Sequence, residues 1–206
     1  MELRPIKLWE SDYKFNELVN EIEFTLVDKE RLYILYQLSK NYLNAKGDVV
    51  EVGVYKGGSA KLISKTFESS DKIIHLFDTF SGMPKTDPQK DHHKELDFND
   101  TSLDHVKKVL RDCKNVRINQ GIFPSTASSI RESGFCLAHI DVDIYRSVLD
   151  CCDFLYPRMH KGAVMVFDDY GWPSTPGAKI AVDEFFENKD EKPIYLPTGQ
   201  CLIIKA

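Results

Sequence analysis

Gly47-Asp-Val-Val-Glu-Val-Gly-Val-Tyr-Lys-Gly-Gly-Ser59 decides how the rest of the chain is read. Val49, Val50 and Val52 are β-branched and predict a short buried strand. Glu51 stands near its end, Gly53, Gly57 and Gly58 follow, and Ser59 opens a helical run over 60–67. A strand, a glycine-rich turn and a helix start form a site for a nucleotide-like ligand. The glycines let backbone approach the ligand, and the free N–H groups of the helix start face an anion. The spacing is Glu-x-Gly-x-x-x-Gly-x-Ser rather than the tighter Gly-x-Gly-x-x-Gly suited to a pyrophosphate. A carboxylate with this looser turn suits the amino acid and ribose of S-adenosylmethionine.

Outward from that stretch, strands and helices alternate. Strands are predicted over 72–77, 115–119, 135–140 and 163–167, with helices over 101–113, 125–131, from about 145, and over 177–187. A closing hairpin pairs 194–196 with 202–204. The pattern predicts an α/β fold with a mostly parallel sheet and an antiparallel hairpin at its edge. Toward the N-terminus, 15–24 has a weak helical pattern. Asp28 reads as an N-cap for a helix carrying Leu32, Leu35, Leu38 and Tyr42, with Gly47 as its stop. Residues 1–46 are thus N-terminal helices of one 206-residue domain. Residues 82–100 have little apolar periodicity and read as a lid or substrate loop over the site.

Ligands of parallel sheets bind outside the carboxyl ends of the strands. Glu51/Gly53, Asp78, Gly121, Asp141 and Asp168/Asp169 all fall there. Asp78, ending the second strand, is placed to accept ribose hydroxyls. Asp141 and Asp168-Asp169 end adjacent strands, so their carboxylates converge, and mutual repulsion calls for a divalent cation. Oxygen ligands favour Mg²⁺, Mn²⁺ or Ca²⁺ over Zn²⁺. Asp143 reads as the cap of the helix at Tyr145. Alternation places His139 on the same strand face as Asp141, as a core histidine or a second base. His92 and His93 read as parts of a solvated loop.

The chain carries net charge −5 with no basic stripe, which argues against nucleic acid. No apolar run approaches membrane length, and Met-Glu-Leu-Arg-Pro does not read as a signal peptide. Five cysteines, an odd number without Cys-x-x-Cys, predict reduced thiols and a cytoplasmic protein.

Taken together, Glu51–Ser59, Asp78-Thr-Phe-Ser-Gly-Met-Pro84, Asp141-Val-Asp-Ile-Tyr145, Phe167-Asp-Asp-Tyr-Gly171 and Gly177–Phe185 resemble the macrocin O-methyltransferase family. The resemblance implies a class I methyltransferase (Rossmann-like) sandwich with a seven-stranded sheet. It also implies S-adenosylmethionine- and Mg²⁺-dependent methylation of a hydroxyl on a sugar or glycosylated natural product, and it leaves a homo-oligomer open. By the family pattern Glu51, Gly53, Tyr55, Ser59, Asp78 and Ser81 touch the cofactor, joined by Gly121 at its strand end. Asp141, Asp168 and Asp169 hold the metal, and Asp141 also acts as base. Val142 stands where the family usually has glycine, and His139 where an apolar residue or arginine is expected. Two other readings compete: a metal-dependent glycosyltransferase using Asp141-Val-Asp143, and a non-catalytic module binding an adenosine ligand or a metal. The glycosyltransferase reading leaves the glycine turn and Asp78 without a role.

Overall fold

In the computed structural model, which describes residues 6–206, β1 (Asp48–Val52) runs parallel between β2 (Ile74–Asp78) and β4 (Phe135–Ile140). With β3 (Val116–Gln120), β5 (Met159–Phe167), β6 (Ile194–Tyr195) and β7 (Cys201–Ile204), the sheet order is β3-β2-β1-β4-β5-β7-β6. β7 pairs antiparallel with β5, and β6 antiparallel with β7, which is the expected edge hairpin. The strands read as nearly unbroken apolar runs because helices cover both faces. Val50, Val52, Ala138, Ile140, Met165 and Phe167 pack with α6 (Tyr145–Leu155) and α7 (Pro176–Phe186). Val49, Leu137, Val164 and Val166 pack on the other face with α3 (Lys29–Asn41) and α4 (Gly58–Thr66). Alternation puts Glu51 and His139 on this second face, directly opposite each other in the β1–β4 register.

The ladder extends one residue past each strand. Gly53 N donates to Phe77 O, Asp141 N to Val52 O, Asp168 N to Ile140 O and Gly121 N to Asp78 O, each at 2.9 Å. Gly53, Gly121, Asp141 and Asp168 are therefore lined up along one edge by backbone alone. Gly53, at φ +89°, is needed for close approach: a Cβ there would lie 1.8 Å from the Asp141 carbonyl oxygen.

Several expected boundaries move. The N-terminal segment forms α1 (Leu8–Ser11) and α2 (Tyr13–Asn20) rather than one helix over 15–24, because Asp12 caps a helix start through Phe15 N. α3 ends at Asn41, well before Gly47, although Asp28 caps it as expected through Arg31 N at 3.0 Å. The helix expected over 101–113 is α5 (Leu103–Val109), capped by Ser102, and 125–131 holds only a 3₁₀ turn, Ala127–Ile130. β5 begins at Met159, with a register irregularity between Phe135 and Leu137 on its partner strand. All five cysteines are free and buried, Cys151 and Cys152 on the core-facing side of α6. The Met1–Pro5 stretch lies outside the described residues, and no helix among the described residues is long and apolar enough to cross a membrane.

Gly53 and Gly162 both have positive φ, but only Gly53 is crowded; a Cβ on Gly162 meets nothing within 4 Å. Gly162→Ala should cost about 1–2 kcal/mol, the strain of a left-handed alanine. Gly53→Ala must also part β1 from β4 and should cost more than about 3 kcal/mol. Urea denaturation of the two variants checks this, and equal losses would contradict the close approach.

Candidate active site

The cleft at this strand edge has a volume of about 350 Å³, within the range of small-molecule sites. Gly53, Val54, Tyr55, Ser59, Asp78 and Gly121 line one half of it, and Arg31, Asp141, Asp143, Asp169 and Trp172 the other. The glycine turn is shaped by Asp78. Its Oδ2 accepts from Val54 N at 2.7 Å and Tyr55 N at 2.8 Å, and its Oδ1 from Phe80 N at 2.6 Å. This carboxylate is thus first a clamp between β2 and the turn. Oδ1 keeps acceptor capacity for a ligand hydroxyl.

Two residues expected at the cofactor are not part of the cleft wall. Ser81 is exposed beside it. Glu51 is fully buried behind it: Oε1 lies 2.9 Å from His139 Nδ1, and Oε2 has no hydrogen-bond partner. His139 is fully buried too, so it does not face a substrate. Its Nε2 lies 3.5 Å from Asp168 Oδ1. Burial disfavours the imidazolium, but the hydrogen bonds to Asp168 and Glu51 override this and raise its pKa well above the ordinary histidine value. The ring is a charged strut between two carboxylates.

Asp168 is likewise fully buried. Burial would raise its pKa, yet His139, Arg31 and Gln200 together hold it below the usual carboxylate value. Gln200 Nε2 donates to Oδ1 at 2.7 Å and Arg31 Nη1 to Oδ2. The other aspartates lack such partners. Burial and the charges of Asp168 and Asp169 push Asp141 well above the carboxylate range, and burial with Asp143 and Asp168 does the same to Asp169. Asp143 is pushed up to about 8 by burial and by Asp141 and Asp168.

Among the described residues, His139, Asp141 and Asp168 form the one group whose ligand atoms all lie within 4.8 Å of one another, near enough to hold a metal ion. Asp169 is not in that trio. It turns its carboxylate toward the cleft, where Oδ2 accepts from Asp143 N at 2.9 Å. Since His139 is engaged on both nitrogens, the donors for a cation are the oxygens of Asp141 and Asp169, with Asp168 able to join through the lone pairs its partners leave. All are hard donors, and two carry charge that the protein does not neutralise; the donor set fits a divalent ion such as Mg²⁺.

Asp143 does not cap α6. Its φ of +57° turns the side chain into the cleft. The cap comes from the 82–100 loop, where buried Asp91 accepts Tyr145 N at 2.8 Å on Oδ1 and Asp87 N at 2.8 Å on Oδ2. The loop does line the cleft, through Gly82, Met83, Pro84, His93 and Phe98. His93, expected in solvent, is held by Asp97 at 3.0 Å and brings Nε2 to 4.0 Å from Asp143 Oδ1. Sequence reasoning missed Arg31, Gln200 and Trp172, which come from α3, the turn before β7 and the turn after β5. Only the strand order brings them together.

The model of the macrocin O-methyltransferase family matches residues 16–197. The chain belongs to that family. It is 27% identical to demethyldecarbamoylnovobiocin O-methyltransferase of Streptomyces niveus over 81% of this chain and 70% of that one. It is 28% identical to mycinamicin III 3''-O-methyltransferase of Micromonospora griseorubida over 80% and 70%. The solved structure of the O-methyltransferase NovP superposes with a TM-score of 0.76 at 23% identity, covering 88% of this chain and 82% of that one. The protein is therefore an O-methyltransferase of class I fold, and the glycosyltransferase and non-catalytic readings fall away.

The acidic cluster sets a pH dependence. In an unfolded chain Asp143 titrates near 4, so a folded value of about 8 means that the folded state binds this proton more tightly. Stability is then lost as pH rises between the two. His139, raised above its unfolded value, acts in the same direction at higher pH. Urea denaturation in EDTA should show the wild type less stable at pH 8.5 than at 5.5. Asp143→Asn should remove about 1–3 kcal/mol of that difference, after discounting for the solvent that reaches the partly exposed side chain. Identical pH slopes in the two proteins would contradict this account of Asp143.

Proposed function

We propose that the protein transfers a methyl group from S-adenosylmethionine to a hydroxyl of a sugar or glycosylated natural product, with a divalent cation held by Asp141, Asp168 and Asp169. The observation that carries this is the junction inside one cleft: a glycine turn for the cofactor opens onto carboxylates whose charge the protein leaves uncompensated. The activities named for the relatives, on mycinamicin III and on demethyldecarbamoylnovobiocin, support a glycosidic acceptor. So does the wall of the acceptor half, where Phe24, Leu26 and Trp172 offer exposed apolar surface beside the aspartates. Free thiols fit a cytoplasmic location. Exposed Ile194, Tyr195 and Ile204 on the edge hairpin give a homo-oligomer an apolar contact.

When bound, the cofactor supplies an electrophilic methyl group, and the cation supplies Lewis acidity that lowers the pKa of a coordinated hydroxyl. The chain supplies the rest. Gly53, Gly121 and the Tyr55–Ser59 turn admit the cofactor close to backbone, and Asp78 Oδ1 accepts from its ribose. Asp141, beside Gly53 at the junction of the two halves, receives the hydroxyl proton as the new bond forms. Glu51 and His139, which the sequence placed at the cofactor and among the bases, act from behind: they fix Asp168 so that the cluster keeps its geometry. The 82–100 loop, pinned by Asp91, covers the cleft and excludes water.

Calorimetry tests the reading directly. S-adenosylmethionine should bind, and NAD⁺ and UDP-sugars should not. Asp141→Asn should keep cofactor affinity but lose about 10²–10⁴-fold in turnover on a glycoside acceptor, with saturating Mg²⁺ failing to restore the rate. Rescue by high Mg²⁺ would make Asp141 a ligand only. Absence of S-adenosylmethionine binding would overturn the assignment.

A further inference from the structure

Arg31, on α3, reaches the acidic cluster from outside the sheet. Its guanidinium is shared among four groups. Nη1 pairs with Asp168 Oδ2, Nε lies 3.2 Å from Asp28 Oδ2, Nη2 donates to Leu26 O at 2.9 Å, and the guanidinium carbon lies 5.0 Å from the centre of the Trp172 ring. Both oxygens of Asp168 are engaged: Oδ1 accepts from Gln200 Nε2 at 2.7 Å and lies 3.5 Å from His139 Nε2, while Oδ2 faces, among the described residues, Arg31 alone. For Asp168 to join Asp141 in holding a cation, the less crowded of its oxygens is Oδ2, the one that Arg31 holds. Two like charges at one carboxylate oxygen repel strongly when that carboxylate is buried, as Asp168 is. Arg31 also ties together the two walls of the acceptor half: the Phe24–Val27 segment on one side and Trp172 on the other.

We infer that Arg31 is a gate on the metal site: it competes with the divalent cation for Asp168, and loading of the cation releases the Phe24–Asp28 wall through which the acceptor enters. The inference rests on the reading of the aspartate cluster as a cation site. It assigns Arg31 a positioning role and leaves the methyl transfer itself to groups that face the cleft. It also gives the reaction an order, because the acceptor half opens only after the cation has displaced the guanidinium. The charge balance is consistent with exchange rather than addition. Arg31 and His139 together already neutralise Asp168, so a cation added beside Arg31 would meet a guanidinium where it needs a ligand.

Mn²⁺ titration by calorimetry, without cofactor or acceptor, tests this on the wild type, Arg31→Met and Lys56→Met. Arg31→Met should bind Mn²⁺ about tenfold more tightly, since a charge-assisted competitor has been removed. A variant that merely loosened the fold would bind more weakly. Lys56 lines the same cleft but pairs with Asp100 at 2.6 Å, so Lys56→Met removes equal charge without freeing Asp168. It should change Mn²⁺ affinity by less than about twofold, because its charge is partly exposed and screened. If Arg31→Met does not fold, hydrogen exchange on the wild type decides: Mn²⁺ should speed exchange of amides 26–32. Unchanged or weaker binding in Arg31→Met, an equal gain in Lys56→Met, or slower exchange at 26–32 would overturn the gate. Failure of both wild type and Arg31→Met to take up Mn²⁺ would overturn the cation site itself, and equal uptake by both would overturn the gate alone.

Discussion

The constraint on which this molecule turns is the crowding of carboxylates at the ends of β4 and β5. The backbone ladder sets Asp141 beside Asp168, and Asp169 and Asp143 converge on the same cleft. The protein compensates one of these charges generously, with His139, Gln200 and Arg31 all turned on Asp168. It leaves Asp141, Asp143 and Asp169 with raised pKa values and, among the described residues, no lysine or arginine paired to them. A fold does not gain stability from that arrangement. The proposed uptake of a cation and a hydroxyl-bearing ligand would gain from it, since the unmet charge would then be met by what binds.

The cofactor half obeys a different constraint. There the polar groups of the turn are satisfied internally, with Asp78 accepting three backbone N–H bonds. The turn is held by the Asp78 carboxylate and by Gly53 pressed against Asp141, an arrangement shaped before any ligand arrives. One half of the cleft is thus rigid and electrically settled, the other charged and incomplete. Gly53 and Asp141 are the point where they touch, which is where the proposed reaction would pass the methyl group.

Much of this was legible in the sequence, for identifiable reasons. Glycine spacing and strand-end aspartates are local signals, and the rule that parallel sheets bind ligands at their carboxyl ends turns them into a site. Strict alternation correctly put His139 and Asp141 on one face. What the sequence left hidden is whatever depends on packing between distant elements. Arg31 sits one turn into α3 in an ordinary capped helix start, and nothing local distinguishes it from a solvated arginine. Asp143 looked like a cap because it precedes a helix, but Asp91, more than fifty residues earlier, already fills that position. Glu51 carried a motif signature for the cofactor. Strand register instead pairs it with His139 across the sheet, in the core.

The central claim is that a divalent cation sits between these aspartates and the cofactor turn. Anomalous diffraction from crystals grown with Mn²⁺ and S-adenosylhomocysteine tests it most directly. The account predicts a manganese peak within ligand distance of Asp141 and Asp169 oxygens, with the cofactor product lying over the Gly53 turn. A manganese peak elsewhere on the chain, or none at the aspartates when the cofactor site is filled, would contradict it.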